Sequence, residues 1–208
     1  MTYLLNLEDF LKKILGISEK VFRGVESQHQ VGERHYHTFS HAMDVVTQVV
    51  ATHFEDPFTY QREALAAALW HDAVFIVGAK DNEFASAEVA VRELGKTDLN
   101  LSWVRELIRA TARHFKFEDG EVNPATDMAK FLDCDIAGFG MPWAKFKSQN
   151  DAIHKELLLV TEKEKAESGR RSFLEMMLRK EHIFYSHRGR ERYEKVARSN
   201  IEVYLRQL

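Results

Sequence analysis

The chain has 208 residues, 45% of them hydrophobic, which is enough to bury a substantial core as one domain, and too few for two full domains. Its 29 basic and 32 acidic residues leave a formal charge of -3, which argues against a surface for extended nucleic acid but leaves room for a local phosphate pocket. The single cysteine, Cys134, excludes an intrachain disulfide and fits a reducing compartment, so a cytoplasmic protein is expected.

The opening stretch MTYLLNLEDFLKKILGIS is interrupted by Glu8, Asp9, Lys12 and Lys13, so it lacks the apolar core of a signal sequence. No later stretch reaches membrane-spanning length, and a soluble, unprocessed chain is expected. Glycine and proline are scarce, at 10 and 3, and apolar residues recur at helical spacing, which predicts an all-α fold. A helix follows Ser40, its expected N-cap, with Ala42, Val45, Val46, Val49 and Val50 on one face and His41 in its first turn. The run REALAAALW predicts a buried helix from Gln61 to about Trp70, ending in His71-Asp72.

Asp81 is the expected cap of a helix to about Leu94. Asp98 is expected to cap another, carrying Val104, Leu107, Ile108 and Thr111 to about Phe115, and Thr126 or Asp127 a third from near Met128. Gly95, the segment 118–124 and the stretch Gly138 to Pro142 punctuate them. Three more helices are expected near 143–161, 170–184 and 190–207. The last carries the stripe Tyr193, Val196, Ala197, Asn200, Ile201, Tyr204 and Leu205. The whole, residues 1–208, reads as one domain with a metal-binding core at about 30–140 and a C-terminal helical extension at about 141–208.

The chemistry concentrates in His41, His71, Asp72 and Asp135. Two imidazoles and two carboxylates suit a divalent ion such as manganese, iron, cobalt, nickel, zinc or magnesium. Asp135 shares a helix face with Met128, Phe131 and Leu132, where an unpaired carboxylate costs several kcal/mol, so a metal, a cation or several donors must meet it. Asp133 lies about 200° of helical rotation away and is read as a flanking residue. The bland alternative for His71-Asp72 is a polar stop at the end of an apolar helix. His37 and His41 offer a competing i, i+4 ligand pair, but Thr38 stands where a zinc peptidase would need its glutamate, so His37 is placed beside the pocket rather than on the metal.

In order and spacing, RHYHTFSHAMDV, ALWHDAVF, DNEFASAE, the pair Thr111 and His114, FLDCDIAGFG and IFYSHRGRERYEKVARSNI resemble the small bacterial HD-domain proteins known as predicted metal-dependent phosphohydrolases. The resemblance spans nearly the whole chain. It implies an all-helical HD fold in which His41, His71, Asp72 and Asp135 bind a metal. Ile136 stands where that family more often has leucine, a change that leaves the ligand set untouched. A second metal would need further histidines before the last aspartate, and that interval holds only His114, so one metal is expected.

Around the metal, Arg34, Tyr36, His37, Asn82, Ser86 and Thr111 are the expected substrate contacts, and Asp72, Glu83 and His114 the expected catalytic groups. Glu83 and His114 come first as proton carriers because they change protonation. Each has a structural alternative: Ser86 and Thr111 as back-bonding helix residues, Asn82 and Glu83 at a helix start, Arg34 paired with Glu33 or Asp44, His114 in the core. The basic stretches at Arg170–Arg171 and 186–192 are read first as solvated helix ends and second as phosphate contacts. No GxxxxGK loop or GxGxxG turn is present. Hydrolysis of a small phosphorylated substrate, a nucleotide among them, is the leading expectation. A di-iron oxygenase and a non-catalytic metal- or ligand-binding protein are the rivals. Exposed apolar helix faces would also serve a homodimer.

Overall fold

The computed structural model describes residues 6–118 and 120–208. The first five residues of the stretch read for a signal sequence, and Asp119 within the expected break at 118–124, lie outside them. The described residues form ten α-helices, one 3-10 turn and no strand, so the protein is all-α. The helices are α1 (Leu7–Leu15), α2 (Glu19–Gln28), α3 (Phe39–Glu55), α4 (Gln61–Trp70), α5 (Asn82–Glu93), α6 (Leu101–Thr111), α7 (Asp127–Ile136), α8 (Trp143–Leu158), α9 (Lys163–Arg179) and α10 (His187–Leu205), with the 3-10 turn at Ala137–Gly140. No helix among them is long and apolar enough to cross a membrane.

The middle of the fold is α4. Its residues Glu63 to Trp70 are all buried, and α1, α3, α5, α6 and α7 pack around it. Four alanines, Ala64, Ala66, Ala67 and Ala68, keep its surface narrow enough for neighbours to approach from every side. A central helix of this kind delivers its C-terminal residues, His71 and Asp72, to the depth of the molecule rather than to its rim.

A second hydrophobic cluster joins Ile136 and Ala137 to Phe146, Leu174, Met177, Ile183, Phe184, Tyr193 and Ile201 of the C-terminal half. The 3-10 turn lies directly on α10, and a Cβ at Gly140 would stand 2.9 Å from Tyr193 Cα, so this crossing requires glycine. Asn200 Nδ2 donates to the Phe139 and Met141 carbonyls at 2.9 and 2.8 Å, satisfying the end of the turn.

Several helix limits differ from expectation. α3 begins at Phe39 after Thr38, so Ser40 lies inside its first turn and caps nothing. Asn100, not Asp98, caps α6 by accepting from Trp103 N; Asp98 is instead held by Arg62. α6 stops at Thr111, which frees Phe115 from the helix. α9 starts seven residues before the expected 170, because Ala166 alone anchors a first stretch whose other residues are polar. On α10 Val196 is 42% exposed although it belongs to the apolar stripe, the burial falling on Tyr193, Ala197, Asn200, Ile201 and Tyr204.

Candidate metal centre

His71 terminates α4 with helical dihedrals, and its Nδ1 donates to the Ala68 carbonyl at 3.0 Å. A carbonyl only accepts, so that nitrogen carries a proton and Nε2 is left facing inward. His41, in the first turn of α3, brings its own Nε2 to 3.3 Å from His71 Nε2. Asp72 Oδ2 lies 2.9 Å from His71 Nε2 and 3.7 Å from His41 Nε2. These three buried residues therefore hold their ligand atoms within 4.8 Å of one another, in a cluster that could hold a metal ion.

The donor set fits such an ion on two grounds. Ligand bonds of about 2.1 Å to a single ion put neighbouring donor atoms about 3.0 Å apart in an octahedron and about 3.4 Å apart in a tetrahedron, close to the spacings here. Asp72 Oδ2 is also fully buried without a hydrogen-bond partner, a costly state that a cation removes. The imidazole hydrogen bonded to a backbone carbonyl is the arrangement that fixes a ligating histidine's tautomer.

Asp135, on α7, faces the same two imidazole nitrogens: its Oδ1 lies 3.0 Å from His41 Nε2 and 3.4 Å from His71 Nε2, while Oδ2 lies 3.3 Å from His114 Nε2. His114 Nε2 is buried and has no hydrogen-bond partner. Charge follows geometry. Burial pushes both carboxylates up, but the facing imidazoles win, His71 foremost, and hold Asp72 and Asp135 below the usual carboxylate range. Burial alone would depress His71, yet Asp72 and Asp135 raise it well above its ordinary value. For His114 burial prevails and its pKa is lowered. Protons and a metal thus compete for the same inward-facing nitrogens.

A cavity of about 280 Å³ opens over the cluster. Tyr36, His37, Glu83, Thr111 and His114 line it, as do His41, His71, Asp72 and Asp135. The Tyr36 ring lies against His41 with centroids 4.4 Å apart, and its hydroxyl pKa is pushed well up by burial and by Asp135 and Asp72. Thr111 Oγ1 donates to Ile108 O within its helix. The Glu83 carboxylate has no hydrogen bond or ion pair among the described residues.

Arg34, Asn82 and Ser86 lie elsewhere. Arg34 donates to the Val31, His37, Asp72, Gln28 and Ala73 carbonyls, which uses its whole guanidinium to tie the loop before α3 to the end of α4. Asn82 accepts from Ile76 N and donates to Ile76 O, and Ser86 does the same with Val74. All three brace the backbone around His71-Asp72, so substrate contact, their expected role, is corrected to positioning. His37 precedes α3, so it forms no helical i, i+4 pair with His41. It stacks on Phe75 with centroids 4.0 Å apart and donates from Nδ1 to Glu156 Oε2 at 2.6 Å.

Comparisons with family models, with curated proteins and with solved structures return no match. The centre therefore rests on its own geometry.

Glu156, which carried no sequence expectation, and Arg170, which did, both belong to this region. Glu156 of α8 accepts at Oε1 from three successive backbone N–H groups, those of His35, Tyr36 and His37, at 2.8, 2.8 and 3.0 Å. Burial raises its pKa, but His37 and the backbone donors outweigh that and bring it down to about 2. Nothing local marks Glu156, since its partners lie some 120 residues away. Arg170, expected first as a solvated helix end, is instead buried inside α9 and reaches the cavity wall, on the apolar stripe of Ala166, Leu174 and Met177.

Proposed function

We propose that the protein is a metal-dependent phosphohydrolase acting on a nucleotide or another small phosphorylated metabolite. One observation carries the reading: two imidazole nitrogens and a buried carboxylate oxygen converge on the floor of a cavity of small-molecule size. The resemblance of the motifs around His41, His71-Asp72 and Asp135 to HD-domain phosphohydrolases points the same way.

A divalent ion held by His41, His71, Asp72 and Asp135 would supply charge neutralisation on a phosphoryl oxygen and an acidified water. The protein's own groups do the rest. Asp135, whose Oδ1 faces the same His41 and His71 nitrogens at 3.0 and 3.4 Å, would complete the ligand set and adds negative charge to the cluster. Glu83, with its carboxylate open to the cavity, takes a proton from the attacking water. His114, which lines the same cavity, delivers one toward the leaving group. Arg34, Asn82, Ser86 and Glu156 hold the loops that carry these groups in register.

The test is turnover of a nucleotide and phosphometabolite panel by metal-stripped protein, with manganese, iron, cobalt, nickel, zinc or magnesium restored one at a time. Metal-restored release of phosphate or pyrophosphate, absent in Asp72→Ala and reduced in Glu83→Gln with metal still bound, is the expected result. Tight stoichiometric metal binding without turnover of any compound overturns the proposal. The unpartnered His114 Nε2 beside Asp135 favours one alternative, a two-metal redox centre. Two irons per chain with oxygen consumption would establish it.

A further inference from the structure

The cavity contains a cation that the chemistry above leaves unused. Arg170 lies midway along α9, is 7% exposed and is the only lysine or arginine among the described residues that line the cavity. A guanidinium at this depth ordinarily faces a carboxylate, because an unpaired buried charge costs several kcal/mol. Among the described residues none stands within ion-pair reach of it. One Nη donates to Asn150 Oδ1, and Asn150 is itself fixed by donating from Nδ2 to Phe146 O at 2.8 Å. The Nε atom is buried with no hydrogen-bond partner among the described residues. The basic residues elsewhere in the C-terminal half are differently placed: Arg188 and Arg192 pair with Glu55, Arg198 with Glu194, and Arg171 caps Leu205 O. Burial lowers the Arg170 pKa to about 10, which still leaves it charged at neutral pH.

The surroundings indicate what this charge meets. Asp72, Glu83 and Asp135 share the cavity, so a polyanionic ligand enters only against compensating positive charge. The Arg170 guanidinium lies 5.0 Å over the Phe173 ring, and Phe115 and Phe139 pack around Phe173 with centroids 4.8 and 6.4 Å away. Together they make an apolar shelf next to a fixed cation, a surface for the flat or apolar part of a phosphate ester.

We propose that Arg170 is the phosphate-binding residue of this cavity, its guanidinium, which no carboxylate among the described residues neutralises, taking non-bridging oxygens of a phosphate ester whose organic part rests on the Phe115, Phe139 and Phe173 shelf. The inference deepens the hydrolase reading and rests on it for the identity of the anion. Arg170 then contributes to function rather than to stability, and the two separate in experiment.

The measurement is calorimetric binding of inorganic phosphate to the metal-loaded full chain, for the parent, Arg170→Met and Arg170→Lys, with metal content and thermal melting recorded. Arg170→Met is expected to weaken phosphate at least about tenfold, the loss of a charge-assisted contact. It should keep its metal and melt at or above the parent temperature, since an unpaired buried charge has been removed. Arg170→Lys keeps the charge without the planar fork, should bind several-fold more weakly than the parent, and decides the matter if the Met variant does not fold. Parent-like phosphate affinity in either folded variant, or no phosphate binding by the parent, overturns the inference. Turnover with unchanged KM in Arg170→Met would sink this inference alone. Absence of turnover with any phosphorylated compound, alongside phosphate binding that Arg170→Met abolishes, would sink the hydrolase reading alone.

Discussion

Two carboxylates two residues apart on α7 do opposite work. Asp133 accepts from Tyr185 N at 2.7 Å, Ser186 N at 2.8 Å and Ser186 Oγ at 2.6 Å, and so fastens the start of α10 to α7. Asp135 accepts from no backbone group and faces three imidazoles. Both are buried on the same helix, yet burial raises the Asp133 pKa to about 7 whereas Asp135 is held low. The difference teaches how to tell an anchor from a ligand-side acid in this protein. A carboxylate whose lone pairs are consumed by N–H groups of the main chain is structural. One that meets side-chain nitrogens able to exchange a proton for a metal belongs to the site.

The largest expected separation is in metal affinity. Asp135→Asn should weaken metal binding at least about 10- to 100-fold, since it removes a carboxylate that faces the two ligating imidazole nitrogens. Asp133→Asn should leave it unchanged. Equal losses in both, read by competition with a chelating dye, would erase the distinction. Next comes stability: a Cβ on Gly189 would run into the Asp133 carboxylate, so Gly189→Ala should cost about 1–3 kcal/mol in denaturant unfolding while retaining stoichiometric metal.

Glu156 sharpens the comparison from the acid side, being another carboxylate consumed by backbone donors. Its pKa is depressed in the folded state from 4.5 to about 2, so its contribution is complete above about 4.5 and is lost as pH falls toward 2. Glu156→Gln should be less stable at neutral pH and show a flatter loss of melting temperature between those limits; parallel pH profiles would contradict this. The smallest effect is expected at Ser40. It is exposed and lies inside the first turn of α3, so Ser40→Ala should change unfolding free energy by less than about 0.5 kcal/mol, where a true N-cap would cost about 1 kcal/mol.

The helices were largely legible in the chain. α4 was read from Gln61 to Trp70 and is found there, because alanine and leucine runs of that density have one way to fold and one place to go. The limits of α3, α6 and α9 were less legible, since caps compete among neighbouring Ser, Thr, Asp and Asn, and a polar first turn carries no periodicity. The side chains around His71-Asp72 could be named from the sequence, but Arg34, Asn82 and Ser86 could not be assigned from it. Any of them could have faced a ligand, and only the fold shows that their donors are spent on carbonyls.

What the sequence determined by itself was therefore local: an all-helical chain, a buried central helix ending in His71-Asp72, and an acid at position 135 on an apolar face. Each follows from the 3.6-residue period or from the cost of hiding a charge. The tertiary structure decided everything that depends on partners distant along the chain. It set His41 against Asp135 across 94 residues and Glu156 under the His35 backbone across 121. It also brought Arg170 from the C-terminal half to the wall of a cavity whose floor belongs to the N-terminal half. Periodicity tells a side chain which face of its helix it shares, but only packing tells it what stands opposite.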